Sequence, residues 1–196
     1  MIDALEATGT PPEALYDDNP ELWGTTCLGY PIVGGRQELL QGPRDARVVI
    51  AIARNEVRQQ VAKALAGNGL WLIGFRHPAA VISRHAAVSE TAQVLAAVVI
   101  NAAAQIGSSV IVNTGAIVEH DCRIGPFAHI GPGAVLAGAV EVLQGAVVGA
   151  GAALRPFAKV GAWATVGAGA VVIQEVPDGT IVAGVPARAL RGKRRP

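Results

Sequence analysis

The sequence predicts a parallel β-helix preceded by a short α/β segment, and three observations carry that prediction. From Val88 to Val172 every sixth residue is aliphatic, fifteen positions without an exception, and a period of six fits neither an α-helix nor a hairpin strand. The position four residues further on is always small, running Ala92, Val98, Ala104, Val110, Ala116, Cys122 and onward to Val176. The residue directly after the aliphatic one is Gly at 107, 125, 131, 149, 161 and 167 and Asn at 101 and 113, types that tolerate the positive φ of a tight corner. Short strands turning through about 120°, three hexapeptides to a coil, satisfy all three observations. The aliphatic side chain fills the interior and the small one fits the corner. Uninterrupted coils are expected over residues 82–177.

Ahead of the prism, R-V-V-I-A-I-A (47–53) reads as a buried strand. Asn55 is placed to cap a helix carrying Val57, Val61, Ala64 and Leu65 on one face. L-W-L-I-G-F (70–75) reads as a second strand that completes a βαβ unit. Such units gather loops at the carboxyl ends of parallel strands, where open α/β sheets bind ligands. The expected division is an α/β domain over 1–76 and the β-helix with its tail over 77–196. The first domain is expected to be incomplete, because M-I-D-A-L-E-A-T-G reads as the end of a helix.

Composition agrees with this architecture. With 24 Gly, 51% hydrophobic and 4% aromatic residues in 196, the chain calls for many tight turns around small aliphatic side chains, not for a helix bundle. A net charge of +1 argues neither for nor against a charged partner, and with no basic-aromatic surface apart from the run R-G-K-R-R at 191–195 a nucleic-acid partner is not expected. Cys27 and Cys122 form no disulfide or metal pattern. No apolar run reaches membrane-span length and no secretory pattern opens the chain, so a soluble cytoplasmic protein without a membrane partner is expected.

Polar chemistry concentrates in V-E-H-D-C, residues 118–122. Val118 and Cys122 fall in interior slots, which makes Cys122 a core thiol and not a nucleophile. Glu119, His120 and Asp121 fall on the outward turn. Residues 18 apart stack at about 4.8 Å, so Ala102, His120, Gly138 and Pro156 form a column, with Gly138 leaving open space and an exposed N–H beside His120. His120 suits a general base, Asp121 or Glu119 would orient it, and the Gly138 N–H would face a developing oxyanion. The competing reading of His120 is a solvated surface residue. Half a coil separates His120 from His129, so the two meet only across a subunit interface, which a closed homotrimer supplies. A metal site of the γ-class carbonic anhydrase kind needs a close histidine pair, and His85, His120 and His129 offer none.

Several segments together resemble the bacterial nucleotide-sugar acetyltransferases of the sialic acid O-acetyltransferase and bacillosamine-pathway N-acetyltransferase type. They are Y-D-D-N-P (16–20), I-A-I-A-R-N-E-V-R (50–58), H-P-A-A-V-I-S (77–83), I-V-N-T-G-A-I-V-E-H-D-C-R-I-G (111–125), F-A-H-I-G-P-G-A-V-L-A-G (127–138) and A-G-V-P-A-R (183–188). The resemblance implies a left-handed β-helix, a homotrimer with active sites between subunits, and acetyl transfer from acetyl-CoA, without a metal, to an amine or hydroxyl of a nucleotide-linked sugar. It assigns catalysis to His120, Asp121 and Gly138, and acetyl-CoA contacts to His129, Ala150 and Ala168. Asp17, Asp18, Asn19 and Ala53 would line the sugar-nucleotide site, with Asn113 near the acceptor, although Asp17 and Asp18 also read as turn residues before Pro20. I-A-I-A-R-N-E-V-R favours a 4-amino acceptor, with O-acetylation and a non-catalytic trimeric module as alternatives. Members normally open with a strand and a glycine-rich G-x-x-G-H loop that are absent here, and Ala53 stands where they usually carry Gly. Both differences bear on sugar-nucleotide binding more than on acetyl transfer.

Overall fold

The computed structural model describes residues 1–190, so the basic run at 191–195 lies outside the described residues. Helix α1 (Ile2–Ala7) leads into a small sheet in which Tyr30–Gly34 pairs parallel with Leu15–Tyr16 and antiparallel with Thr26–Cys27. Helix α2 (Arg36–Gln41) follows, then the parallel pair Arg47–Val48 and Trp71–Leu72 around helix α3 (Asn55–Gly67), which is the expected βαβ unit. Ile50, Val61, Ala62, Leu65 and Leu70 form its small core, and Phe127 of the prism packs against them.

The segment 70–75 is not one strand. Trp71–Leu72 stays with the α/β sheet, whereas Phe75–Arg76 leaves it to pair with Gln93–Val94 as the first rung of the prism. The prism therefore opens two residues before the boundary expected at 77. Gly74 makes the switch possible, because a side chain there would collide with the Ala92 carbonyl.

From that rung the chain winds a left-handed parallel β-helix. From Phe75 to Val172 the strand pairings join residues 18 apart, as in Ile111 with His129 and His129 with Val147, and the last coil is shorter, pairing Thr165 with Ile181 at a spacing of 16. Three faces result. The first stacks Val81–Ile82, Val99–Ile100, Ile117–Val118, Val135–Leu136, Ala153–Leu154 and Val171–Val172; the second runs from Ala87–Val88 to Lys159–Val160; the third runs from Phe75–Arg76 to Ile181–Ala183 and closes on Arg188–Ala189. The interior holds the aliphatic and small residues of the repeat, nearly all of them inaccessible to solvent. Each buried valine there contributes about 1.5–3 kcal/mol.

The corner geometry differs from the expectation. Positive φ recurs at every sixth residue from Ala97 to Gly169, the third position after the aliphatic one and not the first. Glycine at the first position answers a different demand, close approach between coils. A methyl carbon on Gly149 would stand 2.5 Å from the Ala168 amide nitrogen, and one on Gly125 would stand 2.7 Å from that of Gln144. Among the described residues no helix is long and apolar enough to cross a membrane.

Candidate functional site

The corner between the first and second faces carries Glu119, His120 and Asp121. Asp121 sits at the recurrent positive-φ position, with φ +61°, a conformation that Asp accepts more readily than most residues. Its Oδ2 lies 2.8 Å from His120 Nδ1. Asp121 is therefore the partner of His120, because Glu119 is taken elsewhere: the Asn101 amide donates to its Oε2 at 2.9 Å. With Nδ1 bonded, Nε2 is the nitrogen free for proton transfer.

One coil on, Gly138 lies against the ring as expected. A β-carbon there would stand 2.7 Å from both Cε1 and Nε2 of His120, so only glycine leaves the imidazole its place. Gly138 accepts from the Phe157 N–H through its carbonyl, while its own N–H bonds to nothing among the described residues. The corner thus holds an oriented imidazole beside an unused backbone donor. Cys122 is enclosed beneath, its Sγ 3.2 Å from the Ala137 carbonyl, and burial pushes its thiol up. A thiol so held is the core residue that the repeat predicts and is no nucleophile.

His129 starts a strand of the third face, away from His120. The Asn113 side chain accepts from the Thr114 N–H at 2.8 Å, which turns its amide nitrogen towards His129 Nε2 at 3.2 Å. Since that nitrogen can only donate, Nε2 accepts and the ring is neutral. Burial, and after it the charge of Arg58, hold the imidazole below its ordinary range, with the Ala53 backbone acting the other way. A histidine that resists protonation in the fold takes up less proton than the unfolded chain, so its contribution to stability is lost as pH falls below about 6.5. Denaturant midpoints are expected to drop between pH 7.5 and 5.5, and His129→Gln is expected to flatten that drop.

The sequence reading missed the residues that join the two domains. Asn55 does not cap α3: Arg54 occupies the cap position, and the Asn55 amide donates to the Gly145 and Ala146 carbonyls at 2.9 and 3.2 Å. Arg58 is fully buried and donates to the carbonyls of Ser109, Ile52 and Phe127 at 3.0, 2.8 and 2.8 Å and to Asn55 Oδ1 at 2.8 Å. Gln93 donates to the Ile50 carbonyl at 2.9 Å. The signal was present: residues 55, 58, 61, 62 and 65 share the buried stripe of α3, so a polar pair occupies positions an apolar pattern would claim.

The remaining candidates lie apart in one chain. Asn113, Ala150 and Ala168 occupy the corner between the third and first faces, and the N–H groups of Ala150 and Ala168 make no hydrogen bond among the described residues. Asp17, Asp18 and Asn19 form an ordered turn: Asp17 accepts from the Asn19 N–H, Asn19 caps the turn at Glu21, and Asp18 pairs with Arg36. The Arg36 partners hold the Asp18 carboxyl below its usual range. Ala53 is exposed and spends its carbonyl on Arg58 at 3.2 Å. Among the described residues no three His, Cys, Asp or Glu cluster as a metal site would require.

A hexapeptide prism with an oriented histidine at an outward corner belongs to the class of β-helical acyltransferases, and comparison with known proteins makes the class specific. Residues 103–138 match the bacterial transferase hexapeptide repeat, and residues 1–65 match the PglD N-terminal domain. The acetyltransferase domain of PglB from Neisseria gonorrhoeae, solved with acetyl coenzyme A, is 35% identical, with 96% of this chain and 92% of that one covered at a TM-score of 0.89. PerB from Caulobacter crescentus, solved with CoA and GDP-perosamine, is 38% identical, with 96% and 90% covered at 0.88. A GDP-perosamine N-acetyltransferase of Escherichia coli O157:H7 is 35% identical over 84 residues, 43% of this chain and 38% of that enzyme's length. The chain belongs to this family of nucleotide-sugar acetyltransferases.

Proposed function

We propose that the protein transfers the acetyl group of acetyl-CoA directly to the 4-amino group of a nucleotide-linked amino sugar, as a cytoplasmic homotrimer. The observation that carries the mechanism is the His120–Asp121 pair seated against Gly138. His120 Nε2 takes the proton from the attacking amine while Asp121 holds the opposite side of the ring. The unused Gly138 N–H receives the oxyanion formed at the thioester carbonyl. The imidazolium then returns its proton to the departing CoA thiolate. The names of the relatives, an N-acetyltransferase and a structure with GDP-perosamine among them, favour an amine over a hydroxyl acceptor.

The threefold arrangement is supported by the contrast between faces. Outward positions of the second face are Ala87, Gln105, Arg123, Glu141 and Lys159, four of the five polar, whereas those of the first are Val81, Val99, Ile117, Val135, Ala153 and Val171, all apolar. Val81 and Val135 are 65% and 38% exposed in the single chain, and an apolar column of this length marks a buried interface. The His120 corner bounds that face on one side and the corner of Asn113, Ala150 and Ala168 bounds it on the other. With three first faces turned to a common axis, each His120 corner meets the next copy's Ala150 corner. His129, Ala150 and Ala168 would then hold acetyl-CoA beside a neighbour's His120. The α/β domain ahead of the prism would hold the nucleotide sugar through Asp17, Asp18, Asn19 and Ala53, with Asn113 near the acceptor. Val135→Arg is expected to sediment as a monomer; an intact trimer would reject this interface.

The deciding assay follows thiol release from acetyl-CoA with UDP-, GDP- and dTDP-linked 4-amino sugars and their 4-hydroxy counterparts. Turnover with an amino sugar alone is expected. Turnover confined to hydroxyl acceptors would reassign the chemistry to O-acetylation.

A further inference from the structure

Arg58 is a buried cation with no carboxylate bonded to it among the described residues. Apart from one bond to Asn55 Oδ1, its donors end on backbone carbonyls of two separate parts of the molecule. One Nη reaches Ile52 and Ala53, in the loop entering α3, at 2.8 and 3.2 Å. The other Nη reaches Phe127 and Ala128 on the prism at 2.8 and 3.3 Å, and Nε reaches Ser109 at 3.0 Å. Ala128 is the residue before His129, and the Ala53 backbone bears on the His129 ring itself. A planar fork fixes several acceptors in one geometry, which a lysine ammonium cannot reproduce. The fork therefore joins the two domains and at the same time fixes the carbonyls of Ala53 and Ala128, the residues that border His129.

We propose that Arg58 is a positioning residue that sets the His129 imidazole against the loop Ile52–Ala53, so that acetyl-CoA contacted by His129 and a nucleotide sugar held by the α/β domain meet in one register. The inference rests on the acetyl-transfer reading above. The groups bearing on His129 are consistent with it. Arg58 faces it from α3, neutral Asn113 from the neighbouring coil and the Ala53 backbone from the loop, while Glu56 acts on Arg58 along the helix.

The test uses the full chain with Arg58→Lys, which keeps the charge and loses the fork, and Arg58→Met, which loses both. The His129 ring is titrated by NMR, CoA binding is measured by calorimetry, and KM is separated from kcat for acetyl-CoA. In Arg58→Met the His129 titration is expected to move up towards the ordinary imidazole range. In Arg58→Lys, which covers the case in which the Met variant does not fold, the KM for acetyl-CoA is expected to rise about tenfold with kcat nearly kept, as for lost positioning of a bound group. A folded Lys variant with wild-type KM and CoA affinity, or a folded Met variant with an unmoved His129 titration, would overturn the proposal. Absence of CoA binding by the wild-type chain would instead overturn the acetyl-transfer reading, and the His129 titration would still decide whether Arg58 governs the ring.

Discussion

His120→Ala is expected to lower acetyl transfer by about 100- to 10,000-fold, the span of a lost general base, with fold and assembly unchanged. The side chain is largely exposed, bonded to Asp121 and lying against Gly138, so its removal opens no buried cavity. The loss should appear in kcat more than in the KM for acetyl-CoA, because the imidazole acts on the proton of the attacking amine. Gly138→Ala is the companion test. Its methyl carbon would stand 2.7 Å from Nε2, and the ring, being at an exposed corner, is free to swing aside. The fold should survive while turnover falls nearly as far. Turnover within threefold of wild type in His120→Ala would remove His120 from the mechanism.

The two variants turn on features that the sequence disclosed unequally. The column of His120 and Gly138 was legible because a prism with an unbroken period places residues 18 apart in contact, whatever their identity. The choice between Glu119 and Asp121 was not legible. It depends on Asn101, one coil away, engaging Glu119, and on the left-handed φ of Asp121. The corner glycines misled for a physical reason: glycine answers both a need for positive φ and a need for close approach, and the repeat uses it for the second at the position where the first was expected. Positive φ falls instead on residues such as Ala103 and Phe127, held there by coils above and below at about 1–2 kcal/mol each. Arg58 stayed hidden because its prism acceptors lie 51 to 70 residues ahead in the chain, and a charge in a helix is ordinarily taken as solvated.

Arg58→Met is expected to be the most destabilising single change in the α/β domain, at about 3–5 kcal/mol. Methionine restores most of the volume but none of the donors. The carbonyls of Ile52, Ser109 and Phe127 would then be left in the join between domains, each costing about 1–3 kcal/mol where water does not reach it. One term opposes the loss. Burial pushes the Arg58 guanidinium down to about 10, so the fold already opposes that charge, and removing it recovers part of the penalty. The bonds still prevail, because several acceptors are stranded against a single desolvated cation. The damage should be local, since the prism keeps its own continuous core while the α/β cluster is small. Denaturant unfolding is therefore expected to split, with amides of α3 exposed early and those of the prism protected as in the wild type by hydrogen exchange. A single transition shifted by less than about 1 kcal/mol would show that apolar packing around Leu65, and not the guanidinium fork, holds the two domains together.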